Sequence, residues 1–366
     1  MQRAADDPPM SRPESSSLLA WCRPGFEAEC AQELAAHDAQ AGGGGFARAE
    51  RGSGYVEFVA ADAGAVERLA DVAPWRNLVF ARQILRVLGS ARELPPKDRL
   101  SVLLPIIEAD PRRWADAWVE APDSDSGREL APLCRGLNAA LIGVLKKNKR
   151  IDRSSRWRLH LGLTATDAAF VAGAAIDQSA PWTGGIPRLK FPHAAPSRST
   201  LKLDEALLVL LDEGERERWL KPGMRAVDLG ASPGGWTWQL VNRSLQVTAV
   251  DNGPMDAALL ASGLVEHLRA DGFRYRPPKP VEWLVCDMVE QPRRVAELIA
   301  QWLGQGYCRY TIFNLKLPMK KRYDEVQLCF DIVRDAFKDG GQRVELRAKQ
   351  LYHDREEITV FARVRA

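Results

Sequence analysis

From Met224 onward, apolar runs alternate with amphipathic stretches. The alternation predicts strands at 224–230, 246–251, 265–270, 282–287 and 309–316, a helix over 324–338, and closing strands at 342–352 and 357–364. Strand–helix repetition of this kind specifies a doubly wound α/β sheet, here with a terminal antiparallel hairpin. The first half of the chain carries a different rhythm. Residues 17–21 (SLLAW) read as a strand, 26–37 as a helix, 54–60 as a strand, 61–70 as a helix and 78–88 as an extended apolar segment. That β-α-β-α-β order predicts a small α+β unit, ferredoxin-like in outline. Leu94, Pro95 and Pro96 mark a boundary. Beyond it come a helix over 100–109, a strand over 115–121, a helix over 130–147, and a strand pair at 158–164 and 168–176 around a Thr166-Asp167 turn. The Pro- and Gly-rich stretch 181–196 reads as a linker, after which Ser199 and Thr200 cap a helix. The division is a leader over 1–16, then units at 17–93, 94–180 and 181–366.

Composition narrows the class without naming an activity. A chain of 366 residues is long for one core, and two or three domains is the natural expectation. A net charge of +3 does not announce nucleic acid, so any basic surface must be local. The strongest candidate is the run 146–158, KKNKRIDRSSRWR, where Lys146, Lys147, Lys149, Arg150, Arg153, Arg156 and Arg158 surround Trp157. A solvated helix end would explain some of these cations; clustering without alternating acids favours phosphate contact. Six cysteines form no C-x-x-C pair, and no Cys/His cluster has metal-ligand spacing, so reduced thiols in a cytoplasmic protein and no metal are expected. No apolar stretch reaches membrane-spanning length. The polar, Pro-rich N-terminus lacks the apolar core of a signal peptide and reads as a disordered leader.

The candidate chemistry gathers around MRAVDLGASPGGWTWQL, residues 224–240. A strand meets a turn of small residues and then a helix, which lets a ligand approach backbone N–H groups. Ser232, Pro233, Gly234 and Gly235 build that turn, and neither G-x-G-x-x-G nor the Gly-Lys-Ser/Thr of a P-loop is present. Three acids close the strands that follow: Asp251, Asp271 and Asp287. Each alone could be a helix cap; together they line the sheet edge where ligands lie, and Asp251 is placed to accept both ribose hydroxyls of an adenosine-type cofactor. Lys316 ends the fifth predicted strand in TIFNLKLP. Mid-strand lysines usually snorkel from an edge, but this one points into the same crevice, where burial and a second cation, Lys202, would lower its pKa toward that of a base. Glu356 and Glu357 lie on opposite faces of the last strand, so only one can join the site. Lys320, Lys321 and Arg322 follow Lys316 directly and suit a polyanionic substrate or a helix cap.

Lys202, Asp287, Lys316 and Glu357 around DLGASPGGW resemble the catalytic set of the Lys-Asp-Lys-Glu RNA 2′-O-ribose methyltransferases. SRSTLKLDEA, VDNGPM, CDMVEQP, IFNLKLPMKKRYDEV and QLYHDREEITVF narrow the resemblance to the bacterial 23S ribosomal RNA cytidine 2′-O-methyltransferase family, RlmM. It is dense over 181–366 and continues more loosely through LAWCRPGFEAECAQEL and GYVEFV. It implies a Rossmann-like class I S-adenosylmethionine-dependent methyltransferase domain, preceded by ferredoxin-like and THUMP RNA-binding domains. By the same resemblance, Ser199, Ser232, Pro233, Gly234 and Gly235 shape the S-adenosylmethionine pocket, Asp251 holds the ribose and Asp271 the adenine side. Lys316 is implied as general base, with Asp287, Lys202 and Glu357 orienting it. The alternation of Ile358, Val360 and Ala362 favours Glu357 over Glu356. The implied partner is 23S ribosomal RNA, as a protein-poor precursor, met by the basic run 146–158 and by Lys320, Lys321 and Arg322. The alternatives are another structured RNA, a non-catalytic RNA-binding protein, and an NAD(P)-dependent oxidoreductase. The missing dinucleotide fingerprint opposes the last, and the complete four-residue set opposes the second.

Overall fold

The computed structural model describes residues 16–365, so the leader read over 1–16 lies, Ser16 aside, outside the described residues. Their contacts separate one unit, running to Trp75 and over Phe80–Gly185, from a second made of Arg76–Val79 and the chain from Ile186 onward.

Strands β1 (Ser17–Cys22), β2 (Phe46–Ala49), β3 (Tyr55–Val59), β4 (Ala81–Ala91), β5 (Asp116–Glu120), β6 (Trp157–Ala165) and β7 (Ala168–Ala175) build the sheet of the first unit. Their order is β2-β3-β1-β4-β7-β6-β5. All neighbours are antiparallel except β5 and β6. Helices α1 (Glu27–Gln40), α2 (Ala63–Val72), α3 (Arg99–Ala109), α4 (Asp125–Glu129) and α5 (Ala131–Lys147) complete the unit. The Pro95-Pro96 boundary does not divide the sheet, because β4 pairs with β1 on one side and with β7 on the other. The segments 17–93 and 94–180 therefore share one hydrogen-bonded layer. Leu159, Leu161 and Leu163 of β6 alternate onto a core with Leu103, Ile107, Leu141 and Leu145 of the helices. The sequence pattern does not mark β2. Its residues are mostly exposed, and pairing with β3 rather than burial makes it a strand.

The second unit has the expected doubly wound form. Strands β8 (Arg225–Leu229), β9 (Gln246–Val250), β10 (Val265–Leu268), β11 (Val281–Cys286), β12 (Cys308–Lys316), β13 (Arg343–Lys349) and β14 (Glu357–Arg365) take the order β10-β9-β8-β11-β12-β14-β13. The first five are parallel, and β14 and β13 close the edge antiparallel. Helices α6 (Thr200–Leu210), α7 (Glu213–Trp219), α8 (Gly235–Val241), α9 (Ala257–Ala261), α10 (Pro292–Gly304) and α11 (Arg322–Asp335) accompany them. Four consecutive buried residues in β11 reflect a strand covered on both faces. In α10, Pro292 opens the helix, and Val295, Leu298, Ile299, Trp302 and Leu303 recur at helical spacing on the buried side. Trp219, Trp283, Tyr310 and Phe361 stack across α7, β11, β12 and β14, with Trp219 and Tyr310 centroids 4.8 Å apart. This aromatic layer ties together strands whose carboxyl ends carry the site. The chain reverses direction of travel across the sheet between β8 and β11, which opens a crevice at those ends.

Candidate active site

The last residue of β12 and the first of β14 are register partners, which sets Lys316 opposite Glu357. Asp287 follows β11 by one residue, so its carboxylate meets the same end of the sheet. Lys316 Nζ donates to Asp287 Oδ1 at 2.6 Å and to Glu357 Oε2. Lys202, on the first turn of α6, donates to Glu357 Oε1 and lies 3.6 Å from Asp287 Oδ2. Two lysines and two carboxylates thus alternate in a closed ring, each half-buried except Glu357, which is buried. Glu356 points away, is exposed, and pairs with Arg322.

The electrostatics follow from that ring. Burial works to raise the Glu357 carboxyl, but the Lys316 and Lys202 ammonium groups outweigh it and hold its pKa below the ordinary glutamate value. For Lys316, burial pulls downward, yet Asp287 and Glu357 together outweigh it and the pKa is raised. Burial and a second cation argue for a depressed Lys316 pKa, with the net sign not readable from sequence; the two carboxylates turn it upward. The sequence shows the second cation, Lys202, but not that two carboxylates would bind the amine directly.

The glycine turn sits beside this ring. Gly234 has a φ of 118°, a left-handed conformation that side chains rarely adopt, and it starts α8. A Cβ at Gly235 would overlap Ser199 Oγ and Ser197 Oγ, so only glycine lets α6 approach here. Ser199 itself makes no capping bond to α6; its hydroxyl pairs with Ser197 Oγ at 2.6 Å. Asp251 accepts from the backbone N–H of Gly253 at 2.7 Å and of Ser232 at 3.1 Å, joining the end of β9 to the turn. Ser232 Oγ donates to Pro254 O at 2.8 Å. Asp271 lies three residues past β10, exposed, accepting from Phe273 N at 2.9 Å and facing Arg274 at 3.5 Å.

Sequence reasoning overlooked Asp228. It sits in β8 with a buried carboxyl that accepts from Thr237 Oγ1 at 2.6 Å through Oδ2, while Oδ1 has no partner among the described residues. Burial, aided by Asp287 and Asp251, pushes its pKa up to about 7. The available signal was an acid inside an otherwise apolar parallel strand, shortly before the glycine turn. An orphaned buried acceptor beside a glycine cradle fits a ligand that brings hydrogen-bond donors.

The comparisons with known proteins bear on the same segments. Residues 15–85 match the RlmM ferredoxin-like domain, and residues 195–349 match the FtsJ-like methyltransferase family. A ribosomal RNA large subunit methyltransferase M of Xanthomonas campestris is 53% identical over 350 residues, covering 95% of this chain and 99% of its own. One from Stenotrophomonas maltophilia is 53% identical over 348 residues, covering 94% and 96%. The chain belongs to the ribosomal RNA large subunit methyltransferase M family. It combines a ferredoxin-like domain with a Rossmann-like methyltransferase domain, and its methyl donor is S-adenosylmethionine.

The described residues include no cluster of three or more His, Cys, Asp or Glu able to hold a metal ion. They also include no helix long and apolar enough to cross a membrane. All six cysteines are buried thiols outside any disulfide.

The basic run 146–158 is mixed in character. Arg158 is buried against Asp116 at 2.7 Å, and Arg150 donates to the carbonyls of Ile107 and Asp110. Arg156 pairs with Asp177 at 3.3 Å. Lys146, Lys147, Lys149 and Arg153 are exposed. Arg112 stacks on Trp157 at 4.3 Å and Arg86 at 5.3 Å.

Proposed function

We propose that this RNA methyltransferase transfers the methyl group of S-adenosylmethionine to the 2′-oxygen of a cytidine ribose in 23S ribosomal RNA, with Lys316 as general base. The observation that carries this reading is the ring of Lys316, Asp287, Lys202 and Glu357 at the mouth of a crevice walled by the glycine turn. The relatives' names speak for large-subunit ribosomal RNA; the choice of cytidine and of the 23S molecule rests on the motif resemblance.

S-adenosylmethionine supplies an electrophilic methyl group on a cationic sulfur. The turn at Ser232, Pro233, Gly234 and Gly235, with Ser199, Asp228 and Asp251, would hold it, and Asp271 would lie on the adenine side. A protonated ribose hydroxyl is a weak nucleophile, so the protein must orient it and remove its proton as the oxygen attacks. Lys316 Nζ would take that proton. Because Asp287 and Glu357 hold Lys316 as an ammonium, it must first shed its own proton, and transfer should quicken as pH rises. Lys202 shares Glu357 and keeps that carboxylate from neutralising Lys316 alone.

Residues 94–180 would serve as the THUMP RNA-binding module. The exposed cations of 146–158, with Lys320, Lys321 and Arg322, would contact phosphates of a protein-poor precursor RNA in the cytoplasm. Val289 and Met319, 90% and 93% exposed, project from the loops after Asp287 and Lys316, where a splayed nucleotide would enter. The test is transfer of a tritiated methyl group to protein-free 23S RNA transcript, followed by mapping of alkali-resistant linkages. A single resistant linkage 3′ to a cytidine supports the reading; label on a base, or none, opposes it.

A further inference from the structure

Asp287 Oδ1 accepts two hydrogen bonds: one from Lys316 Nζ and one from Asn314 Nδ2 at 2.8 Å. Asn314 is fully buried in β12, two residues before Lys316 and on the same face. Its other amide atom, Oδ1, meets Thr359 Oγ1 at 2.7 Å, on the strand partner directly opposite. Thr359 Oγ1 in turn lies 3.1 Å from both carboxyl oxygens of Asp354, which is buried.

Counting protons gives a consistent direction to these bonds. Asp287 can only accept from Asn314, so the amide must present Nδ2 to it; a flipped amide would set oxygen against oxygen. Asn314 Oδ1 is then an acceptor, and the single Thr359 hydroxyl proton must go to it. Thr359 Oγ1 has no second proton, so with that proton on Asn314, its shorter contact, the contacts to Asp354 are satisfied when Asp354 donates as a neutral acid. Leu351 N donates to Asp354 Oδ2 at 3.0 Å, which leaves Oδ1 to carry the proton.

We infer that Asp354, Thr359 and Asn314 form a one-way hydrogen-bond relay that positions the Asp287 carboxylate, and through it the Lys316 amine, from inside the core. The three are positioning residues; none touches the reacting atoms.

The surroundings agree with a neutral Asp354. It is faced by Glu357 of β14 and by Glu205 and Lys202 of α6, and burial together with the two glutamates raises its pKa well above the ordinary value. The segment carrying it is anchored to α6. Glu205 accepts from Tyr352 N at 2.8 Å, His353 N at 3.0 Å and His353 Nδ1 at 2.7 Å. Glu205 lies one turn from Lys202, so one helix supports both the far end of the relay and the second lysine of the ring. A chain of neutral groups serves this purpose better than another carboxylate would. It orients Asp287 without adding a negative charge that would tighten the hold on the Lys316 proton.

The inference rests on Lys316 being the acid–base group, and the experiment separates the two. Single-turnover methyl transfer to 23S RNA transcript is measured as a function of pH for the wild type, Lys316→Ala, Thr359→Val, Thr359→Ser, Asp354→Ala and Asp354→Asn. S-adenosylhomocysteine affinity and thermal melting are measured alongside. Thr359→Val and Asp354→Ala should each lower the rate by roughly tenfold to a hundredfold, the cost of a misplacement on the order of 1 Å, with a displaced pH profile and unchanged affinity. Thr359→Ser and Asp354→Asn should restore both rate and profile, since each supplies the same donor. Wild-type rate and profile in a folded Thr359→Val variant would overturn the relay. Failure of Asp354→Asn to rescue would show that an ionised carboxylate is required, and would also overturn it. Activity in Lys316→Ala would instead defeat the general-base reading.

Discussion

Lys316 and Glu357 are direct partners across the antiparallel pair β12 and β14, and this one register relationship brings together a site whose two halves are 41 residues apart in the chain. A shift by one residue would turn Glu357 to the opposite face and bring Glu356 inward. Glu357→Gln should therefore cut methyl transfer by at least about tenfold, the scale set by losing one charge-assisted bond at a reacting group. Glu356→Gln, an exposed position paired with Arg322, should stay within about twofold. Parallel rate measurements on the two variants decide which glutamate serves.

Asp228 gives a prediction with a definite sign. Its folded pKa of about 7 lies above the ordinary value of 3.8, so between those limits the folded protein holds a proton that the unfolded chain has released. Stability should fall as pH rises through that window and level off above it. Asp228→Asn should remove that part of the slope in urea denaturation carried out at the acidic and the neutral end of the window. The same substitution should weaken S-adenosylhomocysteine binding by roughly tenfold, because the amide keeps one oxygen for Thr237 and sets a donor where the second carboxyl oxygen stood. Calorimetric titration measures this.

The basic run divides into two predictions. Lys147→Glu and Arg153→Glu alter exposed cations, so they should raise the KM for RNA and leave kcat alone. Each should also reduce the salt dependence of binding by about one released counterion, as expected when one phosphate is no longer neutralised. Arg158→Ala removes the partner of Asp116 from a buried position and should lower the melting temperature instead. A uniform effect of all three on KM, without loss of stability, would contradict the division.

Much of the site was legible because its residues obey strand arithmetic. Asp251, Asp287 and Lys316 were found at strand ends, since apolar runs of defined length stop where the sheet meets solvent. The doubly wound sheet was legible for the same reason: buried parallel strands are near-continuous apolar runs, as β11 is. The β2 strand was not, because an exposed edge strand is made by its neighbour and leaves no pattern in its own residues. Continuity of the first sheet across Pro95 and Pro96 was hidden because the pairing of β4 with β7 joins segments about eighty residues apart, and no local signal encodes it. The sign of the Lys316 shift was illegible because it depends on two carboxylates within bonding distance, a property of the fold rather than of spacing. Asp228 and the Asp354–Thr359–Asn314 chain were missed for a related reason. Polar residues inside apolar strands read as interruptions until their partners are seen.

The central claim is that Lys316 removes the ribose proton. Its most direct test is single-turnover transfer of a tritiated methyl group to 23S RNA transcript by Lys316→Ala, with S-adenosylhomocysteine affinity measured on the same preparation. Transfer should fall to background while affinity stays within about threefold of wild type, because Lys316 lies in the ring and not in the glycine turn. Near-wild-type transfer by the folded variant would contradict the account.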